Sequence, residues 1–290
     1  MRSEKEMFEL LISTARDDER ILAAYLEGAR TVPQVPRDIF QDFDLVYVVT
    51  ETRPFIEEKE WINRFGQRLY MQYPDEGIWD NGNHENCYGW LMQFADGNRL
   101  DLHVCTLAFV KEQLKKGEPY RILLDKTGCL PQPGENLEKV YWVKKPSQEE
   151  FLAVCNEFWW CLNNVAKGLW REELPYVMEQ LNIVIRPMLF NVLAWKAGKD
   201  HDFSVSVGKG GKYLKNYLPE TVYESYMRTY PAGEKEAIQK SVFGMCSLFE
   251  TMAREMAQAL GFSYHEEEGR NSRAYLEHVC QLPKDAKEIY

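Results

Sequence analysis

Asp42 and Asp44 stand at the head of the apolar run Leu45-Val46-Tyr47-Val48-Val49, and this pair constrains the chain more than any other stretch. An apolar run of that length reads as a buried strand, and residues i and i+2 of a strand point to the same face. Two carboxylates therefore project together from the end of a strand. Like charges held so close repel unless a cation stands between them. A hard divalent ion such as Mg²⁺ takes oxygen ligands of this kind, together with substrate phosphates. Upstream, Gly28-Ala29-Arg30 is a small-residue turn where backbone N–H groups can approach a phosphate. Taken alone, the carboxylate pair reads more readily as an ordinary surface Asp-x-Asp than as a metal site.

A third carboxylate strengthens the metal reading. Arg99-Leu100-Asp101-Leu102-His103-Val104 alternates strictly, which puts Asp101 on the face opposite Leu100, Leu102 and Val104, beside Arg99 and His103. Asp96-Gly97-Asn98 before it reads as a tight hairpin turn, and 88–94 as the preceding strand. An Asp inside a strand is unfavourable on propensity, so a site is the simpler reason for it. The plain alternative is a surface Asp paired with Arg99 or His103. Phosphate cradle, short loop and strand-borne carboxylates make the layout of metal-assisted nucleotidyl transfer.

The runs Leu26-Glu27-Gly28-Ala29-Arg30-Thr31, Phe40-Gln41-Asp42-Phe43-Asp44 and Asp96-Gly97-Asn98-Arg99-Leu100-Asp101-Leu102 carry a resemblance. So do Asn156-Glu157-Phe158-Trp159, Lys167-Gly168-Leu169, Arg186-Pro187 and Gly208-Lys209 with Lys212. In that order the chain resembles the aminoglycoside 6-adenylyltransferases (streptomycin adenylyltransferases) of the nucleotidyltransferase superfamily, over nearly its whole length. The resemblance implies an α+β fold: a nucleotidyltransferase domain of mixed sheet with flanking helices, then an all-α helical bundle, with ATP and acceptor in the cleft between them. It implies Mg²⁺-dependent transfer of AMP from ATP to a hydroxyl of a cationic aminoglycoside such as streptomycin, with release of pyrophosphate and antibiotic resistance as the outcome. Asp42, Asp44 and Asp101 become the catalytic and metal-holding residues, with Asp101 also taking the proton of the attacking hydroxyl. Gly28, Ala29 and Arg30 fall to the nucleotide phosphates, as do Lys209 and Lys212. One departure stands out: the relatives read Gly-Ser-Arg, and Ala29 lacks the hydroxyl that could bond a phosphate oxygen. Two alternatives follow: a nucleotidyltransferase for another hydroxylated acceptor, or a nucleotide-binding regulator impaired in catalysis, with Ala29 as its mark.

Composition bounds the partners. With 290 residues the chain has room for two domains. Its net charge of −10 and the lack of a basic stripe argue against nucleic acid and suit a cationic small molecule. No apolar run reaches a membrane-spanning length, and the charged start Met1-Arg2-Ser3-Glu4-Lys5-Glu6 is unlike a secretory leader. The seven cysteines show no paired spacing, and Cys155 and Cys161 read as small core residues, so a cytoplasmic setting is the simplest.

Periodicity predicts a helix around Met7, Leu10, Leu11 and Ala15, strands over 21–26 and 42–50, a helix over 57–65, a strand over 68–73, a hairpin over 88–107, a helix over 110–116 and a strand over 121–124. Ser147 and Glu150 match a capping box. Helical spacing then dominates over 151–170, 173–196, 219–230 and 234–260, which sets expected domains of 1–146 and 147–290. The polar end, 262–290, reads as peripheral with a short helix over 273–280. Trp159 and Trp160 are expected to divide, one to the core and one free to stack on a base or sugar. Lys167 and Arg171 share a helical face and serve either phosphate or neighbouring acids. Glu27 is open to two roles, binding a cationic substrate or organising Arg30. The Gly208–Lys212 turn is open to phosphate contact or to a plain helix-capping role.

Overall fold

The computed structural model describes residues 1–80 and 82–290. Contacts divide the chain into two units, Met1–Val140 and Tyr141–Tyr290. The first unit begins with helix α1 (Glu4–Asp17), started by a reciprocal cap between Ser3 and Glu6 and burying Met7, Leu11, Thr14 and Ala15. Then follow β1 (Ile21–Leu26), a 3₁₀ turn (Gly28–Thr31), β2 (Phe43–Val49) and α2 (Arg53–Glu57). A 3₁₀ stretch (Lys59–Phe65), β3 (Arg68–Gln72), β4 (Cys87–Phe94), β5 (Arg99–Thr106), α3 (Leu107–Leu114) and β6 (Arg121–Asp125) complete the unit.

The strands form one sheet in the order β3-β4-β5-β2-β1-β6. Only β2 and β5 run parallel; the other neighbours are antiparallel. This mixed sheet followed by a helical unit is the α+β class that the sequence indicates. One sheet face packs Leu26, Phe43, Leu45, Tyr47, Leu100, Leu102 and Val104 against α1 and the 3₁₀ stretch. The opposite face holds a smaller core of Ala23, Tyr25, Val46, Val48 and Cys105 with Val110 of α3.

The continuous helix expected over 57–65 is not formed. Glu58 leaves the helical region at ψ 70°, and the chain re-enters as 3₁₀ turns. That break lets Trp61 and Phe65 reach the aromatic cluster of Tyr47, Phe55 and Trp90. Tertiary packing of rings here outweighs helical propensity.

The second unit contains α4 (Gln148–Arg171), α5 (Leu174–Gln180), a π-helical turn (Leu181–Ile185), α6 (Arg186–Asp200), α7 (Glu220–Met227), α8 (Lys235–Leu260) and α9 (Glu266–Gln281). Ser147 and Glu150 cap α4 reciprocally. The helix expected over 173–196 is interrupted by the π turn, where the Arg186 N–H reaches back to Leu181 O. Pro187 follows at once; it lacks an N–H and its ring crowds the preceding turn, and a widened turn absorbs both.

The polar end is not peripheral. Its helix α9 is longer than expected and buries Leu276 and Val279. Gly269 lies so close to Trp159 that a Cβ there would come within 2.9 Å of the indole, and Ser272 donates to Trp159 O at 2.5 Å. Small residues spaced along one face create this packing, which an average polarity conceals. Trp159 is buried and Trp160 is 69% exposed, as their helical phase requires. Among the described residues no helix is long and apolar enough to cross a membrane.

Candidate active site

The smaller-core face of the sheet changes character toward one end of its strands. Its residues fall into rows set by register. In the innermost row, Ala23, Val48, Cys105 and Cys87 lie side by side across β1, β2, β5 and β4. The next row is Tyr25, Val46, His103 and Gly89. The third is Glu27, Asp44 and Asp101: Asp44 and Asp101 are direct partners, and the Glu27 N–H donates to Asp44 O at 3.0 Å. Asp42 precedes β2 by one residue and lies two residues before Asp44. The structure thus brings all three carboxylates proposed from sequence to one end of one face, and adds Glu27.

Local structure explains how acids come to stand there. Gly28 has φ +67°, and a Cβ on it would collide with Asp44 Oδ2. The glycine is needed for the turn and also for the room that the Asp44 carboxylate occupies. Arg30 turns the other way. Its Nε donates to Asp42 O (2.7 Å), one terminal nitrogen to Gln41 O (2.7 Å) and the other to Glu4 (2.8 Å). Its guanidinium also covers the Phe43 ring at 3.7 Å. Arg30 therefore holds the backbone that presents Asp42, and Glu4 rather than Glu27 is its acidic partner. Thr31 Oγ1 donates to Gly28 O at 2.7 Å, closing the turn on itself.

The electrostatics are those of crowded acids. Asp44 is pushed up to about 6 by burial first, then by Asp101, Asp42 and Glu27. Burial also raises Glu27, an effect eased by the hydrogen bond with the Tyr25 hydroxyl. Burial lowers His103, so its imidazole is held toward the neutral form. The ring fits beside Gly89, where a Cβ would come within 2.6 Å of it.

Arg99 does more than pair with Asp101, the role its sequence position suggests. It grips Asp101 with both arms, at 2.8 and 2.6 Å, and stands 3.5 Å from Asp42. Strand alternation, which places Arg99 on the Asp101 face, was the available signal. The guanidinium is the cation that offsets this acid cluster. Among the described residues no group of three or more His, Cys, Asp or Glu side chains is drawn close enough to hold a metal ion as it stands. The donor set nevertheless fits Mg²⁺: it is all carboxylate oxygen, it carries more negative charge than Arg99 cancels, and Asp44 faces it with a raised pKa.

Lys209 and Lys212 belong to the second unit. They lie on a turn in which Gly208, Gly210 and Gly211 all have positive φ. Gly211 is pressed against Phe190 and Leu214, and Lys212 Nζ sits 5.0 Å from the Tyr213 ring. Arg171 lies 3.9 Å from Glu173, a loose ion pair between half-exposed groups.

A family model described as streptomycin adenylyltransferase matches residues 1–279. An aminoglycoside 6-adenylyltransferase of Bacillus subtilis (strain 168) is 34% identical over 265 residues, covering 91% of this chain and 93% of that protein. A protein of the same description from Campylobacter jejuni is 33% identical over 264 residues, covering 91% of each. The crystal structure of an aminoglycoside 6-adenyltransferase from Bacillus subtilis is similar at 30% identity, covers 97% of this chain and 100% of that one, and has a TM-score of 0.49.

Proposed function

The chain belongs to the streptomycin adenylyltransferase family and is an adenylyltransferase, and on that premise we propose that it transfers AMP from ATP to a hydroxyl of an aminoglycoside such as streptomycin, conferring resistance. The observation that carries this reading is the row Glu27–Asp44–Asp101 with Asp42 beside it, a concentration of acid at one end of one sheet face. Asp42, Asp44 and Asp101 are the residues that would hold Mg²⁺, whose chemistry there is to neutralise phosphate oxygens during displacement. Arg99, with 45% of its side chain exposed, gives up Asp101 when that carboxylate is needed. Asp101 accepts the proton of the attacking hydroxyl; in the row it is the carboxylate held by a single arginine, Arg99. Backbone N–H groups of the Gly28–Ala29 turn meet the phosphate tail, and Arg30 acts by fixing the Asp42 loop. The Glu27 carboxylate gives the acceptor's cationic groups a counter-charge.

Pyrophosphate release is the test. The protein with ATP and Mg²⁺ is expected to release it only on addition of an aminoglycoside, streptomycin included. Release that is independent of every aminoglycoside in a panel, or no release at all, would remove this reading in favour of another acceptor or a regulator.

A further inference from the structure

The innermost row of the same sheet face contains two thiols that the transfer reaction does not use. Cys87 and Cys105 are register partners across the β4–β5 hairpin. The neighbouring pair, Asn86 and Thr106, is hydrogen-bonded through the Thr106 N–H and Asn86 O at 2.8 Å. By the alternation of antiparallel ladders, Cys87 and Cys105 form a non-hydrogen-bonded pair, whose Cα atoms lie roughly 4.5 Å apart. A disulfide spans that separation. Their sulfurs are 2.7 Å apart. Both line a cavity of about 210 Å³ with Tyr25, Glu27, His103 and Tyr120. Cys105 is buried and Cys87 is half-buried, so a reagent entering the cavity meets Cys87 first.

We propose that Cys87 and Cys105 are a redox-active dithiol, oxidised reversibly to a disulfide by low-molecular-weight disulfides that enter this cavity. Cys87, as thiolate, attacks one sulfur of the small disulfide. That S–S bond breaks and one small thiolate leaves, taking up a proton. Cys105 then loses its proton and attacks the Cys87 sulfur of the mixed disulfide, expelling the second small thiol. Two electrons pass from the protein dithiol to the reagent: two S–H bonds are lost, one protein S–S bond forms, and two small thiols are released. Hydrogen bonding to Cys87 and burial both hold Cys105 toward its protonated form, which leaves the first attack to Cys87. The other buried cysteines, Cys155, Cys161 and Cys246, lie in helices of the second unit.

The test uses the full reduced chain, freed of reductant and incubated with oxidised glutathione. It is then quenched with N-ethylmaleimide and mapped by mass spectrometry. The seven thiols are expected to fall by two, with the peptides carrying Cys87 and Cys105 joined and dithiothreitol restoring both. In Cys105→Ala, glutathione should remain on Cys87 as a stable mixed disulfide, since nothing is left to expel it. Recovery of both cysteines as maleimide adducts after oxidation would overturn the proposal, as would persistent glutathione on Cys87 of the unaltered chain. The mapping of the unaltered chain decides the matter even if the variant fails to fold.

Discussion

The two faces of the six-stranded sheet are built from the same strands and do opposite work. Along β5, Leu100, Leu102 and Val104 are fully buried against α1 and the aromatic 3₁₀ stretch. Asp101, His103 and Cys105, one residue out of phase, lie on the other face. On β2, Leu45, Tyr47 and Val49 alternate in the same way with Asp44, Val46 and Val48. Burial of large apolar side chains on one face stabilises the sheet by about 1.5–3 kcal/mol per side chain. The other face holds acids at a cost, visible in the raised pKa of Asp44. A period of two lets one strand separate the two tasks completely, so a substitution on either face should reveal one without the other.

The sharpest break of that separation is expected at Asp101. Asp101→Asn should slow single-turnover AMP transfer by about 10²–10⁴-fold while ATP affinity survives, the usual effect of removing a general base. Loss of nucleotide affinity along with turnover would make Asp101 chiefly a metal ligand instead. On the other face, Leu102→Ala should destabilise the protein by about 2–5 kcal/mol in denaturant unfolding. Its transfer rate per folded molecule should not change; a rate loss matching that of Asp101→Asn would mean the faces are not independent.

The pH dependence sharpens the contrast. Asp44 has a folded pKa of about 6 against an ordinary 3.8, so its contribution to stability is fully present below pH 3.8 and is lost as pH rises through 6. Without divalent ions, unfolding compared between the unaltered chain and Asp44→Asn should show the variant gaining on the order of 1–3 kcal/mol across that window and nothing further above it. Equal stability of the two chains at every pH would mean that Asp44 carries no penalty. The smallest effect is expected at the turn. Ala29→Ser adds one hydroxyl that can bond a phosphate oxygen, and the ATP KM should fall by an amount worth roughly 0.5–1.5 kcal/mol. A rise in KM would show that Ala29 serves packing.

Much of this division is legible in the sequence because alternation is a local signal. The strand phases of 42–50 and 99–104 place Asp44 and Asp101 on the right face before any neighbour is known. What the sequence does not reveal is register. That Asp44 meets Asp101, or that Cys87 meets Cys105, depends on which strands pair and where. The hairpin turn at Asp96-Gly97-Asn98 sets the second pairing, since Cys87 and Cys105 lie symmetrically about Asp96, yet linear spacing shows only scattered cysteines. The 3₁₀ break before Trp61 and the burial of α9 were hidden for the same reason. Both depend on rings and small residues distant in sequence, Tyr47 and Trp90 in one case and Trp159 in the other. Arg99 was visible as a neighbour of Asp101, but its reach to Asp42 needs the fold.

The acid row on this face is proposed as a transfer site that the fold does not require. AMP transfer from ATP to streptomycin by Asp44→Asn, measured on protein whose melting midpoint is recorded in the same preparation, tests it most directly. Transfer is expected to disappear while the melting midpoint stays level or rises. Transfer within a few-fold of the unaltered enzyme would contradict it.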